Sequence, residues 1–152
     1  MEINDKAPDF ALLDEEGNKL SLKDYRGKPV VLFFYPKADT SGCTREACEF
    51  RDSYQKLRKT GAVVLGISPD KPTAQNKFKV KYELPYPLLA DTDKAVAKQF
   101  DVLKEKSMYG RKYMGIERTT FVIGPEGKIA KIISGIKPEE HAAAALEAIK
   151  ES

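Results

Sequence analysis

The sequence predicts an α/β protein in which a central mixed β-sheet is flanked by helices. Two apolar runs of strand length, residues 30–35 and 62–68, are typical of buried parallel strands. The segment between them places apolar side chains at helical spacing, so the first half of the chain contains a β-α-β unit. Farther along, residues 118–123 and 128–133 flank a turn that contains Pro and Gly, and they predict an antiparallel hairpin.

The chain opens with a predicted N-terminal β-hairpin. Residues 9–14 and 19–22 have the pattern of two short strands on either side of a turn at Gly17. We interpret this hairpin as an addition that precedes the β-α-β unit.

The helix of the β-α-β unit is defined by one apolar face. Its later members lie 4, 7, 11 and 14 residues after the first, and the face consists of Cys43, Ala47, Phe50, Tyr54 and Leu57. We expect one helix that ends near Lys59, with Gly61 as its C-cap.

Proline and acidic residues divide the middle of the chain. A helix opened by Pro is predicted over 72–82, and a brief strand over 88–90. The next helix is expected to be capped by Asp91 or Thr92 and to reach Phe100.

The last third of the chain combines a loop, the antiparallel hairpin and a helix. Residues 102–115 hold two glycines and many charges, and they predict an irregular loop. Pro138 opens a final amphipathic helix that extends to Lys150, with Leu146 and Ile149 facing inward. Parallel β-α-β first, with an antiparallel hairpin and a helix last, is the order of a thioredoxin-like fold.

Length and composition predict one ordinary globular domain over residues 1–152. The chain has 41% hydrophobic and 32% charged residues, which is enough apolar material for a core without disulfides. No apolar run is long enough for a signal peptide or a membrane helix, so we expect a cytoplasmic protein that binds no membrane. The net charge of +3 is modest and does not predict nucleic-acid binding.

Both cysteines lie where the first buried strand gives way to the helix. Cys43 is in the first helical turn, where unpaired N–H groups and the helix dipole favour the nucleophilic thiolate. In an intact helix the Cα atom of Cys48 would be about 8 to 9 Å away, beyond the limit of about 7 Å for a disulfide. The spacing leaves two interpretations open: two unrelated thiols, or a redox couple whose turnover includes local unfolding.

The segment around these cysteines resembles the active-site segment of peroxiredoxins. It carries their Pro-x-x-x-Thr-x-x-Cys pattern at Pro36, Thr40 and Cys43. The additional cysteine five residues later resembles the PrxQ subfamily, also called bacterioferritin comigratory protein. The chain departs from the commonest family wording with Ala38 in place of Asp and Ser41 in place of Pro.

The resemblance extends to Arg-Thr-Thr-Phe at 118–121 and implies a role for each site residue. Cys43 is implied to be the peroxidatic nucleophile, and Cys48 the resolving cysteine. Thr40, which can also be the helix N-cap, would donate a hydrogen bond to the peroxide oxygen and so orient the peroxide. Pro36, otherwise a strand terminator, would shield the sulfur from water. Arg118, which without the resemblance is a surface ion-pair residue, would stabilise the thiolate and the charge that develops as the O–O bond breaks.

The implied function is a thiol peroxidase that reduces hydrogen peroxide and organic hydroperoxides without metal, flavin or haem. Cys43 would become a sulfenic acid and then form an intramolecular disulfide with Cys48. Thioredoxin or a similar dithiol reductant would reset the enzyme, which is expected to be a monomer or a weak dimer.

The sequence leaves two alternative functions to compare with the peroxidase. A thiol-disulfide oxidoreductase of thioredoxin type would use Cys-x-x-Cys, whereas four residues separate the cysteines here. A non-enzymatic interaction or chaperone module would use the thiols only for packing. One histidine and two cysteines do not complete a structural zinc site, and His141, among glutamates and alanines, is expected on the surface.

Overall fold

A computed structural model describes residues 1–151. The strands are β1 (Ala11–Leu13), β2 (Lys19–Ser21), β3 (Val30–Phe34), β4 (Val63–Ser68), β5 (Leu88–Ala90), β6 (Leu103–Met108), β7 (Arg111–Ile116), β8 (Thr119–Ile123) and β9 (Ile129–Ile133). The α-helices are α1 (Ser41–Asp52), α2 (Tyr54–Lys59), α3 (Pro72–Tyr82), α4 (Ala95–Gln99) and α5 (His141–Glu151), and short 3₁₀ helices span Leu22–Tyr25 and Pro138–Glu140. None of the helices within residues 1–151 is long and apolar enough to cross a membrane.

Seven of the strands form one mixed sheet in the order β2-β1-β5-β4-β3-β8-β9. Strands β3, β4 and β5 are parallel, whereas β8 and β9 continue the sheet in antiparallel fashion. The N-terminal hairpin of β1 and β2 joins the opposite edge through β5. The predicted mixed sheet and both predicted hairpins are therefore confirmed.

Strand β3 lies at the centre of the fold, and all five of its residues are buried. Successive side chains of a strand point to opposite faces, so Phe33 faces the layer that contains Cys43 and Phe50, while Phe34 faces the other layer. The rings of Phe33 and Phe50 stack with centroids 4.5 Å apart. Because truncating such a buried phenylalanine costs about 3–5 kcal/mol, this contact holds α1 firmly on the sheet.

The prediction of an irregular loop over 102–115 is wrong. Strands β6 and β7 form a separate antiparallel hairpin there. Its two-residue turn consists of Tyr109 and Gly110, which have φ values of 52° and 77°. This is the left-handed pair that such a turn requires, and the Tyr-Gly dipeptide was the available signal. The strands are mostly exposed, so they lack the apolar alternation by which a half-buried strand is recognised.

Two helix predictions need correction at their ends. The helix predicted to run unbroken to Lys59 is interrupted at Ser53, where α1 ends and α2 begins. Helix α4 begins at Ala95, after the predicted caps, although the Asp91 carboxylate still accepts hydrogen bonds from the N–H groups of Val96 and Ala97 at 3.1 and 2.8 Å. A side chain can thus hold a helix start from several residues upstream.

The final helix is confirmed, with a short 3₁₀ turn at Pro138–Glu140 before α5. Ile149 is buried, as predicted, and Leu146 is half-buried. Helix α5 packs on α1, β8 and β9, and so closes the layer behind Cys43.

Candidate active site

The end of strand β3 leads directly into the segment that carries Cys43. Tyr35 is still fully buried, a loop over 36–40 follows, and α1 begins at Ser41. Cys43 therefore lies in the first turn of α1, as predicted. It is a free thiol with an exposed fraction of 1%.

Arg118 contacts the sulfur of Cys43. It lies between β7 and β8, and its Nη2 donates to the Cys43 Sγ at 3.4 Å. A Cβ atom on Gly42 would be 3.1 Å from the same Nη2, so the absence of a side chain at Gly42 leaves room for the guanidinium. The structure thus brings together two residues that are 75 positions apart in the sequence.

Glu46 is the second partner of Arg118, and it is not among the site residues predicted from the sequence. Its Oε1 accepts a hydrogen bond from Arg118 Nη1 at 2.8 Å, and its side chain is fully buried. Burial raises the pKa of Glu46 to about 8, against the opposing effect of the Arg118 charge. Glu46 is three residues after Cys43 and hence on the same side of the helix, which was the available signal. One guanidinium therefore bridges the thiol and a buried carboxyl group.

The prediction that His141 lies on the surface is wrong. Its side chain is fully buried, with Nδ1 2.8 Å from Thr120 Oγ1 and 3.5 Å from Glu46 Oε2. Burial, with a further effect of the Arg118 charge, lowers the pKa of His141 to about 4, so the ring is neutral at pH 7. His141 shares its face of α5 with the buried Ala145 and Ile149, four and eight residues later, and this spacing places it against the sheet.

Two hydrogen bonds hold the loop over 36–40, one made by the Thr40 hydroxyl and one by the Ala38 N–H group. The hydroxyl of Thr40 donates to the carbonyl oxygen of Lys37 at 2.8 Å and makes no cap hydrogen bond, although Thr40 occupies the N-cap position. In this arrangement the hydroxyl hydrogen is not free to donate to a peroxide, as the resemblance implied, but the lone pairs remain available to accept from an incoming hydroxyl group. The Ala38 N–H donates to Asp70 Oδ2 at 2.7 Å, and Pro36 is half-buried next to Tyr35.

A buried chain of hydrogen bonds connects this loop with the core. The hydroxyl of Tyr35 donates to Gln75 Oε1, and Gln75 Nε2 donates to Ser68 Oγ at 2.8 Å. The Ser68 hydroxyl in turn donates to Asp70 Oδ2 at 2.7 Å. Because the same Asp70 oxygen also holds the loop, the position of the loop is tied to fully buried groups.

Cys48 lies in the same helix as Cys43 but in a different environment. It is a free, half-buried thiol, and burial raises its pKa, against the opposing effect of the Arg51 charge. Helix α1 is continuous from Ser41 to Asp52. Because the helix is intact, Cys43 and Cys48 are too far apart to form a disulfide in this conformation.

The five predicted site residues lie in three parts of the structure. Cys43 and Arg118 are in contact, Thr40 and Pro36 belong to the loop that leads into α1, and Cys48 lies farther along the helix. Such an arrangement can stabilise an anionic sulfur and an attacked oxygen next to it. Within residues 1–151, no group of three His, Cys, Asp or Glu side chains is placed to hold a metal ion.

The chain is similar to known peroxiredoxins in both sequence and structure. The model of the AhpC/TSA family matches residues 3–132. The chain is 51% identical to a putative peroxiredoxin bcp of Coxiella burnetii over 143 residues, which cover 94% of this chain and 95% of the relative. It is 46% identical to peroxiredoxin Bcp of Bacillus subtilis, with 99% and 96% of the two chains covered. A solved PrxQ variant from Xylella fastidiosa superimposes with a TM-score of 0.93 at 35% identity, covering 99% of this chain and 96% of that one.

Proposed function

Since this chain belongs to the AhpC/TSA family and is a peroxiredoxin, a thiol-dependent peroxidase, we propose that Cys43 is its peroxidatic nucleophile. The observation that carries this assignment is the 3.4 Å contact between Arg118 Nη2 and the Cys43 sulfur. Arg118 is permanently charged, and Cys43 also lies at the positive end of α1. Both effects favour the thiolate, which is the attacking form.

The proposed first step is an attack of the Cys43 thiolate on one peroxide oxygen. The S–O bond forms as the O–O bond breaks, and the departing oxygen takes a proton to give water or an alcohol. Cys43 is left as a sulfenic acid. Arg118 stabilises the negative charge as it moves from sulfur to the leaving oxygen.

Thr40 and Pro36 are proposed to shape the approach to the sulfur. The Thr40 hydroxyl already donates to Lys37, so its lone pairs can accept the peroxide hydrogen bond and orient the substrate. Pro36 contributes an apolar ring without an N–H group at the start of the same loop.

Cys48 is proposed to resolve the sulfenic acid. Its thiolate attacks the Cys43 sulfur, the S–O bond breaks as the S–S bond of an intramolecular disulfide forms, and the departing hydroxide takes a proton from solvent to give water. A dithiol reductant of the thioredoxin type then reduces that disulfide by exchange. Because both thiols belong to one chain, the cycle needs no second subunit, and we expect a monomer or at most a weak dimer. Two free cysteines suit a reducing compartment such as the cytoplasm.

Peroxide consumption coupled to thioredoxin, thioredoxin reductase and NADPH tests the assignment. We expect turnover by the wild-type chain, none by Cys43→Ser, and a single turnover by Cys48→Ser that leaves a sulfenic acid trappable by dimedone. Turnover by Cys43→Ser that depends on Cys48 would show that the two roles are exchanged. Insulin reduction without peroxide consumption would instead support the oxidoreductase alternative, and neither activity would support a non-enzymatic module.

A further inference from the structure

Two buried polar atoms without a hydrogen-bond partner belong to a pair of side chains in contact behind Cys43. Among the described residues, Glu46 Oε2 and His141 Nε2 are the buried side-chain atoms that lack a hydrogen-bond partner. The other ring nitrogen, His141 Nδ1, lies 2.8 Å from Thr120 Oγ1 and 3.5 Å from Glu46 Oε2. Unpaired polar atoms in a core are costly, so their presence at a reactive thiol calls for an explanation.

The position of the ring hydrogen follows from these neighbours. A hydrogen on Nδ1 would donate to Thr120 Oγ1 at 2.8 Å and would face Glu46 Oε2 at the longer distance of 3.5 Å. A hydrogen on Nε2 would leave a buried donor without an acceptor and would turn the Nδ1 lone pair toward Glu46. Because unpaired buried donors are rarer than unpaired acceptors, the Nδ1–H tautomer fits this site.

We propose that His141 is a positioning residue for the peroxidase reaction: its Nδ1–H faces one oxygen of Glu46 and favours the carboxylate form, so that the other oxygen keeps Arg118 directed at Cys43. The contacts run from His141 to Glu46 at 3.5 Å, from Glu46 to Arg118 at 2.8 Å, and from Arg118 to Cys43 at 3.4 Å. This inference rests on the proposed role of Cys43.

In this arrangement His141 acts on the protonation state of Glu46. As a carboxylate, Glu46 binds Arg118 by a charge-assisted hydrogen bond, and protonation weakens that bond. Burial already favours the protonated form, so removal of the Nδ1–H donor favours it further. The charged and titratable groups around the pair are Arg118, which contacts both Glu46 and Cys43, Glu140 next to His141, and the buried Tyr86, which interacts with Glu46.

The experiment compares His141→Asn with His141→Gln. The asparagine amide places its NH₂ group near the position of Nδ1, whereas the glutamine amide reaches the position of Nε2. We expect His141→Gln to lower the rate constant for peroxide about tenfold at pH 7, because a polar donor that faces the charged form of Glu46 is moved away from it. We also expect the acid limb of its pH–rate profile to move to higher pH. His141→Asn should recover most of the rate and keep the limb near that of the wild type.

Infrared spectroscopy provides a readout that does not depend on activity. The C=O band of protonated Glu46, assigned with Glu46→Gln, should persist to higher pH in His141→Gln than in the wild type. Equal pH–rate profiles for the wild type and His141→Gln would overturn the proposal. So would equal shifts in both variants, because loss of ring packing alone would then explain them. Inactivity of the wild type toward peroxide, with the infrared difference present, would overturn the role of Cys43 and leave the His141–Glu46 contact supported.

Discussion

The hydroxyl of Tyr86 donates a hydrogen bond of 2.6 Å to the carbonyl oxygen of Ala47, the residue before Cys48. Tyr86 is fully buried and precedes β5, so this bond fixes the middle of α1 to the core. Four residues later, Arg51 Nη1 donates to the carbonyl oxygen of Tyr82 at 2.8 Å. The part of α1 beyond Cys48 is therefore anchored, and Tyr86 marks the boundary of any segment that unwinds.

Replacement of Tyr86 by Phe should make unwinding of α1 easier. The variant loses one buried hydrogen bond and keeps the ring packing, so we expect disulfide formation after peroxide addition to accelerate roughly fivefold. Faster resolution should also reduce overoxidation of Cys43 to sulfinic acid. Rapid-quench mass spectrometry measures both quantities, with Tyr54→Phe on α2 as the matched control. An unchanged resolution rate would show that Tyr86 does not restrain α1.

Replacement of Arg118 by Ala should slow peroxide reduction by about 10²–10³-fold, the usual cost of one preorganised donor at a developing charge. Arg118→Lys should recover little, because an ammonium group lacks the planar fork that reaches both Cys43 and Glu46. Stopped-flow kinetics with hydrogen peroxide measures the rate, and ultraviolet absorbance of the thiolate measures ionisation. Arg45→Ala is the control, because Arg45 is an exposed arginine on α1, the helix that carries Cys43. If Arg118→Ala changes neither quantity, the role of Arg118 is wrong.

Local sequence patterns predicted the parts of the site that depend on nearby residues. The apolar run of β3 and the face of α1 are local, so the position of Cys43 in the first helical turn followed from them. Burial of His141 depends on where α5 packs against β8 and α1. The spacing of four and eight residues to Ala145 and Ile149 was the available signal, but the neighbouring glutamates favoured a surface position. The β6–β7 hairpin escaped prediction for a related reason: it pairs backbone groups while most of its side chains stay exposed.

Stability should depend on pH through His141. Its pKa is lowered from 6.5 in the unfolded chain to about 4 in the fold, so between these values the unfolded chain binds more protons. Its contribution to the free energy of unfolding is present above pH 6.5 and is lost as the pH falls toward 4, by about 3 kcal/mol in total. Denaturant unfolding of the wild type and His141→Asn measures it. The stability advantage of the wild type should shrink over this range; a constant difference would contradict the prediction.

Oxidation of Cys43 and Cys48 to a disulfide should unwind the start of α1. In the helix their Cα atoms are about 8 to 9 Å apart and must approach within about 7 Å. Residues 43–48 follow an exposed serine and a glycine, whereas Phe50 and Leu57 are fully buried and hold the next turns. We expect amide hydrogen exchange to show loss of protection over 43–48 in the oxidised protein and retained protection over 50–57. Mass spectrometry must confirm the intramolecular disulfide. Equal protection of 43–48 in both redox states would rule out local unfolding of α1 as the route from sulfenic acid to disulfide.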